Sequence, residues 1–147
     1  MAITAADVKA LREKTGAGMM ECKKALEESN GDMAAAEKAL KEKGLAAMAK
    51  RSERATSEGR LFIRQDGNKV AVIELTCETD FVAKNADFIK VGEQMLDVTL
   101  AKGYTKVEAE HESILEPLKV SIRENMKIAK VEVIDVPATA SAAFYVH

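Results

Sequence analysis

The run Cys77-Glu78-Thr79-Asp80-Phe81-Val82 brings a thiol, carboxylates and a large aromatic ring together where a β-branched apolar stretch stops and a helix-like pattern begins. A strand-to-helix corner projects its side chains away from the scaffold, so an adjacent carboxylate and ring there are able to enter a partner's surface. A plainer role is open to the same residues. Thr79 or Asp80 would accept hydrogen bonds from the first free helical amides, and Phe81 would pack under the helix. Cys77 beside Glu78 has the make-up of an activated nucleophile, but a cysteine at the end of an apolar strand is more often a buried small hydrophobe.

The inventory for enzyme chemistry is otherwise thin. The two histidines, His111 and His147, stand near neither a glycine-framed serine nor a cysteine motif, and a terminal histidine makes a poor general base. Gly16-Ala17-Gly18 is followed by methionines and lacks the lysine and hydroxyl that cradle phosphate, so these glycines read as a tight helix-to-helix corner. Cys22 and Cys77 have no partners at metal-ligand spacing, and a disulfide scaffold is not expected. The expectation is a protein with no cofactor, no metal and no chemical active site of its own.

The chain of 147 residues can bury a real core, roughly 68–70% of its unfolded surface, in one main domain with a small appendage. Charged residues make up 31% and the formal net charge is −2, with 11 basic against 9 acidic residues through residue 54 and 11 against 15 beyond it. That mild split, with no arginine-rich face interleaved with aromatics, argues against direct nucleic-acid or membrane binding. Met1 to Asp7 lacks a basic segment followed by an apolar one, and no apolar run approaches the roughly 18 residues of a membrane span. A cytoplasmic protein is expected.

The elements that must position the corner follow from periodicity. Thr4 is placed to cap a helix through Lys14, with Val8, Leu11 and Arg12 on one face. A second helix fits Met19 to Ser29, and Asn30-Gly31 ends it with residues that tolerate positive φ. Asp32 caps a third helix running to Lys43, which Gly44 closes. Helices this short must pack on one another, through Val8, Leu11, Met20, Leu26, Met33 and Leu40. Residues 45 to 57 read as a helical or semi-flexible linker. Past Gly59 the period becomes two: Leu61-Phe62-Ile63 and Val70 to Leu75 flank Asp66-Gly67-Asn68 as an antiparallel hairpin. A long helix starts at Asn85 or Asp87 with a buried stripe of Phe88, Val91, Met95, Val98 and Ala101. Another spans Ser113 to Glu124 with Pro117 in its first turn. Val131, Val133 and Val136 give a third strand that Pro137 ends, and Ala142 to Val146 a fourth. The fold class is α+β: a three-helix module over residues 1–54 including a linker helix, then over 55–147 an antiparallel sheet with helices on one face.

Two motifs in this order, Thr15-Gly16-Ala17-Gly18-Met19-Met20-Glu21-Cys22-Lys23-Lys24-Ala25-Leu26 and Thr79-Asp80-Phe81-Val82, closely resemble the bacterial translation elongation factor Ts family, and the resemblance runs from Ile3 to His147, weakening between Tyr104 and Ala143. The resemblance implies a ubiquitin-associated-like amino-terminal module joined to a dimerisation or core domain. It also implies a guanine nucleotide exchange factor for the GTPase elongation factor Tu, the nucleotide being the partner's ligand. Phe81 would wedge between helices of that GTPase with Asp80 bonded beside it, and Thr79 and Val82 would complete the contact. Arg12, Met19, Met20, Cys22 and Lys23 would supply a second contact, with Met20 equally suited to the three-helix core, and Ile122 and His147 a third.

Departures from the family pattern accompany the matches. Members carry Ile-Gly-Glu-Asn before the third strand, whereas this chain has Ile122-Arg123-Glu124-Asn125, so Arg123 would obstruct a close backbone approach or force a rearranged contact. The paired arginines that follow in relatives are Ala129-Lys130 here. Relatives also continue past the match to Tyr145-Val146-His147, so the chain reads as a short or C-terminally truncated form. Two other functions stay open: a binding module that keeps the fold without exchange activity, and a homodimer formed through an unpaired strand edge.

Overall fold

The computed structural model describes residues 2–147. In chain order the elements are α1 (Ala5–Thr15), α2 (Met19–Glu28), α3 (Met33–Arg51), β1 (Glu58–Asp66), β2 (Lys69–Cys77), α4 (Asp80–Ala83), α5 (Ala86–Lys102), α6 (Ala109–Ser121) and β3 (Met126–Asp135). The α+β class is as expected. The chain divides into two compact units. One runs to Arg51 and takes in Val120–Arg123; the other holds Ser52–Lys119 and Glu124–His147.

In the first unit Thr4 and Asp7 form a reciprocal cap on α1: Thr4 Oγ1 accepts from Asp7 N at 3.2 Å and Asp7 Oδ2 accepts from Thr4 N at 2.8 Å. Asn30 (φ 52°) and Gly31 (φ 82°) turn the chain after α2, and Asp32 Oδ1 accepts from Ala35 N at 3.1 Å to start α3. Val8, Leu11, Cys22, Ala25, Leu26, Ala36 and Leu40 are buried together, with Met33 partly buried against them. Two expectations fail here. Met20 is 75% exposed, because the inward stripe of α2 runs through Cys22, Ala25 and Leu26. Gly44 does not close α3, which continues to Arg51 and absorbs the first half of the anticipated linker. A Cβ at Gly44 would stand 2.7 Å from Val120 Cγ1, so its glycine permits a close approach. Strong helix formers on both sides, Lys41 to Lys43 and Leu45 to Ala47, offset the roughly 1 kcal/mol that an interior glycine costs.

In the second unit the sheet order is β1-β2-β3, antiparallel throughout, with the hairpin turn at Gly67-Asn68 between the paired Asp66 and Lys69. Ala129 is the extra residue where the β2–β3 register shifts, between Leu75↔Ile128 and Glu74↔Lys130. α5 packs on β1 and β2. Its buried stripe is Phe88, Val91, Gly92, Met95, Leu96 and Thr99, whereas Val98 is half-buried and Ala101 exposed. The stripe veers because Gly92 takes the Phe62 ring directly: a Cβ there would lie 2.2 Å from Phe62 Cζ. Phe62 in turn packs at 6.4 Å, centroid to centroid, from Phe88.

α6 begins at Ala109, earlier than the expected Ser113, so Pro117 lies in its interior and not in its first turn. The early start follows from His111. Its Nδ1 accepts from Glu108 N at 2.9 Å, while His111 N donates to Glu108 O at 3.0 Å, a reciprocal cap in which imidazole replaces the usual carboxylate. The expected fourth strand at Ala142–Val146 is not formed. After β3 the chain turns at Pro137, where Ala140 N donates to Pro137 O, and runs on without regular pairing.

Candidate functional site

β2 delivers the chain to the corner through Ile73, Leu75 and Cys77, all fully buried. Thr79, extended at φ −126° and ψ 154°, is the N-cap of the one-turn helix α4, its Oγ1 accepting from Val82 N at 3.4 Å. Val82 and Ala83 point inward and are buried, Asp80 and Phe81 point outward, and the Phe81 ring is 82% exposed. The capping role and the projecting ring thus coexist at one corner. The alternative in which Phe81 packs under the helix is excluded. Burying a phenyl ring is worth about 1.5–3 kcal/mol, so this fold forgoes a sizeable term at that position.

Residues distant in sequence hold the corner. Glu124 Oε1 accepts from Glu78 N at 3.1 Å and from Thr79 N at 3.0 Å, and Glu124 Oε2 accepts from Thr79 Oγ1 at 2.6 Å. Glu78 returns the contact, its Oε2 accepting from Asn125 N at 2.7 Å. Asn125 Nδ2 donates to Ser52 O at 3.3 Å and Arg54 O at 2.7 Å, and Arg54 Nη1 lies 3.7 Å from Glu78 Oε2. Behind α4, Arg60 Nη1 donates to Ala83 O at 3.2 Å. Cys77 is fully buried and its Sγ donates to Thr79 O at 3.2 Å. Burial, reinforced by the charge of Glu124, pushes that thiol up, so it stays protonated. His147 lines a surface groove with Asp80, Lys84 and Arg60, so the terminal histidine and the corner's carboxylate share one face of this unit.

Sequence reasoning missed Glu78, Glu124, Asn125 and Arg60. The Glu124 carboxylate and the Glu78 amide that donates to it lie 46 residues apart, and no local periodicity pairs positions at that separation. The one visible signal was a carboxylate and an amide side by side, Glu124-Asn125, just ahead of a strand.

In the other unit α2 displays Met19, 59% exposed, Met20, and Lys23, which faces Glu27 at 3.9 Å. Arg12 is exposed on α1, while Cys22 belongs to the core and presents nothing to a partner. Glu21 ties this surface together. Its Oε2 accepts from Gly18 N at 3.2 Å and from Arg123 Nη2 at 2.7 Å, and its Oε1 lies 3.7 Å from Lys43 Nζ. The Gly18 amide, with the Arg123 and Lys43 charges, holds the Glu21 carboxyl below the usual range. Arg123 therefore lies along α2 and not across a bare backbone, and half-buried Ile122 belongs to this unit as well. Among the described residues no cluster of histidine, cysteine and carboxylates could hold a metal, and no helix is long and apolar enough to cross a membrane.

Residues 78–147, which include Thr79 to Val82 and Glu124, match the Elongation factor TS family profile. Elongation factor Ts of Treponema denticola is 51% identical over 147 residues, covering all of this chain and 52% of that protein. The same factor of Treponema pallidum is 43% identical over 155 residues and that of Idiomarina loihiensis 41% over 156, each again covering the whole of this chain and 53% of the relative. The chain spans about half the length of the curated relatives it matches. Over its whole length the chain is similar to members of the elongation factor Ts family, of which it spans about half.

Proposed function

We propose that this protein binds the GTPase elongation factor Tu and promotes release of its GDP during translation elongation, performing no chemistry of its own. The observation that carries the reading is the Phe81 ring, exposed on a corner whose backbone is held at several points. A rigid, solvent-facing aromatic is the kind of group that dominates protein interfaces once a partner encloses it. Linkage supplies the mechanism. A protein that binds the nucleotide-free GTPase better than the GDP-bound form weakens GDP by the same factor, whereas equal affinity for both forms shifts nothing. Phe81 would enter between helices of the GTPase and Asp80 bond beside it, displacing elements that support the magnesium site. Mg²⁺ demands near-octahedral geometry and neutralises the phosphates, so a displacement of about 1 Å in its supporting shell loosens both ion and diphosphate. Met19, Met20 and Lys23 would dock the amino-terminal unit through adaptable thioethers and a steering charge.

The test is stopped-flow release of a fluorescent GDP analogue from elongation factor Tu with and without this protein. Acceleration that rises with its concentration supports the reading. Binding without acceleration would make it a non-catalytic binding module, and no binding at all would overturn the assignment.

A further inference from the structure

We infer that Glu124 is a positioning residue for Phe81, fixing the direction in which the ring is presented. The functional consequence rests on the proposed role of Phe81, but the structural part stands on geometry alone. Phe81 is 82% exposed, so its place in space is set by the backbone that carries it and not by packing of the ring. That backbone is a single helical turn, too short to sustain itself, since one turn fixes several residues for very few internal hydrogen bonds. Its amino-terminal anchor is one carboxylate taking three donors, Glu78 N, Thr79 N and Thr79 Oγ1, all within 3.1 Å. Charge-assisted bonds of this kind are the strong class, and two of them meet backbone amides directly ahead of the turn. The reciprocal bond from Asn125 N to Glu78 makes the link two-way: the chain leaving β2 and the chain entering β3 each hold the other's backbone through a carboxylate. Glu124→Gln would present a donor to one of those three donors and break the clamp while removing no buried volume.

The chain contains no tryptophan, so Phe81→Trp gives a single-tryptophan reporter at the site itself. Time-resolved anisotropy of that tryptophan is read on the free protein, in the Phe81→Trp background alone and with Glu124→Gln added. The exposed Glu116→Gln serves as control, and circular dichroism melting verifies the fold. The expected result is a fast depolarising component at least twofold larger with Glu124→Gln and unchanged with Glu116→Gln. Should Glu124→Gln fail to fold, Glu124→Asp, which keeps the charge but draws the carboxylate back from Thr79 N and Thr79 Oγ1, should raise the same component. Unchanged anisotropy in a folded clamp variant overturns the inference. In GDP release, Glu124→Gln should slow exchange about tenfold alone but less than twofold when Phe81 is already alanine. Equal losses in both backgrounds would mean that Glu124 acts otherwise than through the ring, and would also overturn the inference. If Phe81→Ala exchanges normally while the anisotropy responds as expected, the proposed function falls and the positioning role stands.

Discussion

Thr79 Oγ1 donates to Glu124 Oε2 at 2.6 Å and accepts from Val82 N at 3.4 Å, so one hydroxyl joins the segment entering β3 to the first turn of α4. A threonine that only capped α4 would leave its own proton to solvent. Here the proton is committed to a carboxylate far along the chain, which gives the corner a fixed orientation.

Phe81→Ala removes a ring that contributes almost nothing to this protein's own packing, so its thermal unfolding should shift by no more than about 0.5 kcal/mol. Truncating a buried interface aromatic costs roughly 2 kcal/mol or more, which corresponds to about thirtyfold slower GDP release. Measuring melting and release on one preparation separates the two effects. A large loss of stability would show that the ring packs internally.

Lys23→Glu should slow association with the GTPase several-fold, with the difference shrinking as salt rises, because an exposed charge acts mainly by steering. Lys23 pairs with Glu27, four residues on, and both side chains are exposed, so the fold should be nearly indifferent. Association rates at two ionic strengths are the measurement.

Gly92→Ala should destabilise the second unit by about 1–3 kcal/mol despite the better helix propensity of alanine. The new methyl would stand 2.2–2.4 Å from three atoms of the Phe62 ring, which is itself buried against Phe88. Denaturant unfolding followed by circular dichroism tests the sign: a gain in stability would mean that the sheet and helix part easily.

His111 predicts a pH dependence. Its Nδ1 accepts from Glu108 N, so Nε2 carries the proton and donates to Thr99 Oγ1 at 2.8 Å, and Thr99 passes a bond of 2.6 Å to Met95 O. Burial lowers the imidazole below its ordinary value of 6.5, outweighing the nearby carboxylates of Glu108, Glu110 and Glu112. A lowered folded-state pKa means that the stabilising neutral form is fully present above about pH 6.5 and its contribution is lost as pH falls through the folded value. Stability should therefore decline as the pH falls below about 6.5, and His111→Gln should flatten that part of the profile. A steeper decline in the variant would reverse the assignment.

The hairpin, the helix caps at Thr4, Asp32 and Asn85, and the displayed carboxylate and ring were all legible because they depend on residues within a few positions of each other. Gly44 misled because glycine serves equally at a helix end and at a close crossing, and only the position of Val120 decides between them. Met20 misled because either of two adjacent methionines could lead the apolar stripe of α2, and the burial of Cys22, Ala25 and Leu26 turns Met20 outward. His111 looked idle because its role combines a local cap with a bond to another helix. The Glu78–Glu124 clamp was invisible for a different reason: tertiary structure alone brings the Glu124 carboxylate to the Glu78 amide and the Glu78 carboxylate to the Asn125 amide.

The four-residue stretch Val120–Arg123 leaves the sheet-bearing unit and is counted with the helical trio before the chain returns. Neither unit is thus a continuous piece of polypeptide. Cutting after Arg51 would strip the trio of the arginine that neutralises Glu21 and of the valine seated at Gly44. Dissection of this protein is therefore better done by grafting that tetrapeptide through a designed connection than by simple truncation.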